Sequence, residues 1–171
     1  YLALDAIYLS TEVDSIQDEN EQIIVKAQGQ SFAFDHVVLT LPPKLLVDRI
    51  QFEPDIPSRL QEISQQTHTW MSESIKVALT YDRPFWKENQ PIGSIFSNTG
   101  LISELYDHSN FEQSKFALKG FINGGYAQTT EAERKTRVLN QLKTYFGDQV
   151  MDYIGYHETI WRNEAYTHAD Y

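Results

Sequence analysis

Hydrophobic and polar positions alternate most cleanly over Ser74 to Tyr81. Ile75, Val77, Leu79 and Tyr81 fall on one side of an extended chain, and Ser74, Lys76, Ala78 and Thr80 on the other. That two-residue period predicts a strand with one face in a core, ended by Asp82-Arg83-Pro84. Upstream, Val13 to Gln17 and Gln22 to Ala27 read as a hairpin around the acidic turn Asp18-Glu19-Asn20-Glu21. Ile23, Ile24 and Val25 supply its β-branched residues. Gly29 turns the chain into a short strand from Ser31 to Phe34. His36 to Leu41 follows as a nearly continuous apolar run, the pattern of a strand covered on both faces. Pro42-Pro43 stops that run and opens a short helix over 43–48.

Asp55-Ile56-Pro57 opens a second helix, in which Leu60, Ile63, Thr67 and Trp70 share one face. Residues 92–98, 101–106 and 115–122 read as further strands, and Asn123-Gly124-Gly125 as a turn. Thr130-Glu131-Ala132-Glu133 matches a capping box. The helix it starts carries Val138, Leu139, Leu142, Tyr145 and Phe146 on one face and stops at Gly147. A last strand runs from about Asp152 to Trp161. The sum is an α+β fold, a mostly antiparallel mixed sheet flanked by a few helices.

Composition narrows the function. The 171 residues suit one domain or a large piece of one. Twenty-four acidic against fourteen basic residues give a net charge of −10, the reverse of the basic footprint of a nucleic-acid binder. Cysteine is absent, which excludes disulfides, Cys-ligated zinc and thiol catalysis within these residues. A reducing, cytoplasmic setting is the expectation consistent with that. No apolar run approaches the roughly 18 residues that a membrane span needs.

Few motifs carry chemistry by themselves. There is no G-x-G-x-x-G, since Gly120 to Gly125 spells G-F-I-N-G-G, and no G-x-S-x-G or H-E-x-x-H. The histidines at 36, 68, 108, 157 and 168 are scattered, and no metal site is expected. Lys76 stands mid-strand with small neighbours Ser74 and Ala78 on its own face. On pattern alone it reads as a lysine on a solvated sheet face. The alternative is an ammonium held in a cavity, where it holds a water or stabilises a developing charge. Trp161-Arg162-Asn163-Glu164-Ala165-Tyr166 closes the last strand with an aromatic and polar stretch. It fits packing at a domain edge as readily as a site.

The order of segments is more specific than any one of them. Asp35-His36-Val37-Val38-Leu39-Thr40-Leu41-Pro42-Pro43 precedes Ile50-Gln51-Phe52-Glu53-Pro54 and Ile56-Pro57. Ser74-Ile75-Lys76-Val77, Pro84-Phe85-Trp86 and then Trp161 and Tyr171 follow. The series resembles the flavin-containing amine oxidase family, the monoamine oxidase and amino-acid oxidase group, from about Tyr8 to Tyr171. The resemblance implies oxidation of a C–N bond by hydride transfer to FAD, with dioxygen as acceptor and a small-molecule amine as substrate. Lys76 matches the family lysine that holds a water beside the flavin. Trp161 matches the tryptophan packed near the flavin, and Tyr171 an aromatic wall of the substrate cage. Val13 lies in the segment whose backbone contacts adenine. Where some members bind flavin through a cysteine, this chain has Asp170, so FAD is expected to be non-covalent. Ala169-Asp170 also stands where the family has a small Gly-Ala before the tyrosine.

The glycine fingerprint for the FAD pyrophosphate is not among these residues, so the segment alone is not expected to hold FAD. Tyr1 in place of an initiating methionine fits a middle fragment of a longer enzyme, inactive in isolation. By the same resemblance, residues 1–43 belong to the edge of the FAD-binding domain. Residues 44–160 form the substrate-binding domain, and 161–171 return towards the flavin. Such a fragment is expected to expose apolar surface near Val37 to Leu41 and around Trp161, or to cover it by self-association. Two alternatives stand beside this reading: a protoporphyrinogen oxidase or carotenoid desaturase relative, and an acidic binding module without chemistry.

Overall fold

The computed structural model describes residues 3–69, 73–88 and 93–169. They fall into two compact units, one of residues 3–69 with Ala169 and one of residues 73–168. The units part after Thr69, and Gln51–Glu53 joins the first sheet as a parallel strand.

The first unit is built on β1 (Val13–Asp18), β2 (Ile23–Ala27), β3 (Gln30–Phe34) and β4 (Gln51–Glu53), in the order β3-β2-β1-β4. The acidic turn joins β1 to β2 as predicted, and the Asp18 carboxylate accepts the Asn20 N–H at 3.0 Å. Gln28 and Gly29, at φ 50° and 75°, form the two-residue link between β2 and β3. Two successive left-handed residues match the twist of an antiparallel pair. Helices α1 (Pro43–Arg49) and α2 (Ser58–Gln66) pack on each other. Ile16, Ala27, Leu45, Ile50 and Ala169 are the unit's buried apolar residues among those described.

Two expectations fail in this unit. His36 to Leu41 forms no strand. Val38 is 84% exposed and Leu39 42%, and no described strand pairs with the run, so its amides have no ladder to join. In α2, Leu60 and Ile63 face solvent while Ser64 is buried. Helical period fixes which residues share a face, not which face meets a partner. Trp70, expected on the same face, lies outside the described residues.

The second unit is an antiparallel sheet of five strands. These are β5 (Ser74–Tyr81), β6 (Ser94–Phe96), β7 (Ile102–Asp107), β8 (Phe116–Asn123) and β9 (Gly155–Ile160), in the order β6-β7-β8-β5-β9. Burial along β5 alternates strictly, with Ile75, Val77, Leu79 and Tyr81 inside. They pack with Leu105, Leu118 and Ile122 against Val138 and Leu142 of α3 (Glu131–Phe146). Each side chain buried in this way contributes roughly 1.5–3 kcal/mol. The predicted cap is present, since Thr130 Oγ1 accepts the Glu133 N–H at 3.2 Å. Gly147 ends the helix at φ 74°. The last strand starts at Gly155 instead of Asp152, because 148–152 wind into a 3₁₀ turn. Overall the α+β reading stands, with no described helix long and apolar enough to cross a membrane.

Candidate functional site

One face of the second sheet packs against α3, and the other face holds the candidate residue Lys76. Register decides what lies on it. Lys76 of β5 is opposite Phe121 of β8 and Thr159 of β9, and Ala78 is opposite Lys119 and His157. Across β8, Phe121 faces Glu104 and Lys119 faces Tyr106 of β7. The strand alternation that buries Ile75 and Val77 therefore delivers Lys76 to the face opposite the core.

The face is a row of rings and cations. Lys76 Nζ lies 5.0 Å from the Trp161 ring centre and 5.6 Å from that of Phe121. Lys119 Nζ lies 5.6 Å from the same Phe121 ring and 5.5 Å from Tyr106. Phe96 meets Tyr106 edge to face at 6.0 Å. The Tyr106 hydroxyl donates to Glu104 at 2.6 Å, which raises the phenol above its ordinary value. Trp161 opens a 3₁₀ turn directly after β9, half-buried, with its indole N–H buried and unpartnered among the described residues. No carboxylate lies within ion-pair distance of Lys76 among the described residues, so its ammonium N–H groups stay available.

Behind the sheet, β9 is tied to α3. Arg134 Nε and Nη2 both donate to Glu158 Oε1, at 2.8 and 2.5 Å. Both side chains are about 95% buried. Arg134 Nη1 also donates to the carbonyls of Tyr126 and Thr129. Donation to Glu158 raises the guanidinium above its ordinary value. Burial pushes the Tyr156 hydroxyl well above the usual phenol range, and its 2.8 Å bond to Glu158 Oε2 adds to the shift.

Of the residues expected from sequence, Lys76 and Trp161 come together. Val13 begins β1 in the first unit, opposite Ala27, with an irregular register between Val13 and Ser15. Tyr171 and Asp170 lie outside the described residues. Sequence reading missed Glu104, Tyr106, Lys119 and Phe121 as members of the face. The signal was present, because Ala117, Lys119 and Phe121 alternate with Leu118, Gly120 and Ile122, but only strand registers align them with Lys76. No group of three metal-ligating side chains occurs among the described residues.

Residues 2–171 match the family described as flavin containing amine oxidoreductase. Over 160 residues the chain is 30% identical to a probable flavin-containing monoamine oxidase A of Dictyostelium discoideum, covering 91% of this chain and 34% of that one. Over 139 residues it is 32% identical to the putrescine oxidase of Kocuria rosea, covering 79% and 28%. Among solved structures, a putrescine oxidase triple mutant with redesigned cofactor binding superposes with a TM-score of 0.79 at 27% identity. That match covers 98% of this chain and 38% of the other. A putative protoporphyrinogen oxidase from Exiguobacterium superposes at 0.57 with 17% identity, over 87% of this chain and 33% of the other. This last likeness is one of fold alone. The chain spans about a third of the length of the curated relatives it matches.

Proposed function

We propose, because the chain belongs to the flavin containing amine oxidoreductase family, that the whole protein oxidises the C–N bond of a small-molecule amine, with non-covalent FAD and dioxygen. The observation that carries the reading is the Lys76 ammonium seated 5.0 Å from the Trp161 ring on the open face of the sheet. Family membership gives the flavin; its non-covalent attachment, the amine and the acceptor are proposed.

The residues present fit an isoalloxazine edge. Trp161 offers a flat apolar surface and an N–H unpartnered among the described residues, and Lys76 offers N–H donors that no described acidic neighbour consumes. When bound, FAD supplies the hydride acceptor. Lys76 would hold a water beside it and offer its ammonium to negative charge. Trp161 walls the site against bulk water. Val13 contributes backbone contacts to the adenine end, and Tyr171 walls the substrate. The first 43 residues serve the flavin domain, residues 44–160 the substrate domain, and 161–171 lead back to the flavin.

FAD pyrophosphate needs glycine-turn amides at a helix N-terminus. The 171 residues lack that fingerprint, so alone they bind FAD weakly and do not turn over. The test is anaerobic addition of primary amines to the full-length protein. Bleaching of the flavin band, followed by peroxide release on admitting oxygen, supports the reading. A flavin that no amine bleaches overturns it. Tight FAD binding by the isolated segment in a calorimetric titration overturns the claim about the fragment.

A further inference from the structure

Trp161 is held from only one side by the sheet. It follows β9, and β9 is an edge strand, hydrogen-bonded to β5 alone in the described sheet. An edge strand has one ladder where an inner strand has two, so something else must fix its far end. The Arg134–Glu158 pair meets that need from the opposite face. Arg134, on the first turn of α3, grips the Glu158 carboxylate and also the carbonyls of Tyr126 and Thr129. The second Glu158 oxygen is taken by the Tyr156 hydroxyl. Glu158 stands opposite Val77, beside the Thr159–Lys76 pair, and three positions before Trp161.

We infer that Arg134 is a positioning residue for the Lys76–Trp161 pair, acting through Glu158 and β9 without touching substrate or flavin. The inference rests on the reading of that pair as the flavin-facing site. Small displacements of a reacting group are costly, roughly 10²-fold for about 1 Å. A loosened β9 therefore shows in the chemical step more than in substrate affinity.

The experiment uses the full-length enzyme labelled with 5-fluorotryptophan, the Trp161 and Trp86 ¹⁹F resonances being assigned with W161F and W86F. R134K keeps the charge but loses the forked grip. Y156F removes one bond to Glu158 and leaves no unpaired charge. R134M/E158L removes both charges together, which avoids stranding a buried ion. The expected result is a shifted or broadened Trp161 resonance in all three, with Trp86 unchanged. The rate of flavin reduction by amine should fall about 10-fold or more in R134M/E158L and less in the other two, with KM little changed. A wild-type Trp161 resonance and wild-type reduction rate in R134K and Y156F overturn the inference, whether or not the double variant folds. The resonance is read without substrate, so a failure of the amine oxidase reading leaves this outcome separately visible.

Discussion

The Lys76 ammonium stands over the Trp161 ring at 5.0 Å, its seat made by aromatic faces and, among the described residues, not by an acid. That choice of neighbour has a chemical consequence. A carboxylate partner would occupy the N–H groups and offset the charge. A ring holds the cation through its quadrupole, for about 0.5–2 kcal/mol, and leaves the donors free for a water. The charge stays in place and its hydrogen bonds remain to be made.

Replacing Lys76 with methionine keeps the length and apolar stem of the side chain and deletes the donors. In the full-length enzyme, K76M should retain its FAD and lose amine-dependent peroxide release by about 10²-fold, the usual scale for a positioned acid–base group. Flavin content by absorbance and peroxide release by a coupled assay measure the two separately. Unchanged turnover would remove Lys76 from the mechanism.

Trp161 makes two separable contributions, a ring face for Lys76 and a buried N–H without a partner among the described residues. W161F keeps the first and deletes the second. W161A deletes both. The flavin absorption band of the full-length enzyme should shift slightly in W161F and more in W161A, with turnover falling in the same order. Equal behaviour of the two variants would show that the ring face contributes nothing.

The strand that carries Lys76 also explains how much of the site is legible in the sequence. The two-residue period of β5 by itself puts Lys76 opposite the core, because burial of Ile75, Val77 and Leu79 leaves no other register. The Thr130 cap and the Gly147 stop are legible for the same kind of local reason. Phe121, Lys119, Tyr106 and Glu104 are not, because their meeting with Lys76 depends on cross-strand register between segments up to 45 residues apart, as for Lys76 and Phe121. The apolar run at 36–41 misleads the strand reading, since its pattern reports burial and the chain supplies no described strand beside it. The buried Arg134 is hidden for the opposite reason. Its charge marks a surface position on the helix, and only the carboxylate of β9 shows why it is inside.

Gly124 ties the start of β5 to the turn after β8. A Cβ there would lie 2.6 Å from the carbonyl carbon and oxygen of Glu73, which are backbone and cannot swing aside. Gly93, by contrast, has nothing within 4 Å of the same position. G124A should therefore cost about 1–3 kcal/mol, the range for overpacking, and G93A should stay within about 0.5 kcal/mol. Thermal unfolding of the two full-length variants beside wild type makes the comparison. Equal midpoints for G124A and wild type would mean that the turn relaxes freely.

Asp107 supplies a stability term with a defined pH sense. Its carboxylate meets Lys87 Nζ at 2.7 Å and accepts from the Ser109 N–H and hydroxyl at 3.0 and 2.6 Å. Partial burial works against ionisation, but the bonds to Lys87 and Ser109 outweigh it, and the group lies below its ordinary value of 3.8. A carboxyl lowered by folding adds stability that is present above its unfolded value and lost as pH falls through the folded one. The pair is partly exposed, so screening limits it to about 1 kcal/mol or less. D107N should therefore melt below wild type near neutral pH. The gap should narrow as pH falls from 3.8 through the lower folded value, and should also narrow in high salt. Melting curves of both proteins from pH 7 to 3 decide the point. A gap that is constant across that range, or that widens in acid, would show that Asp107 stabilises through its shape and not through its charge.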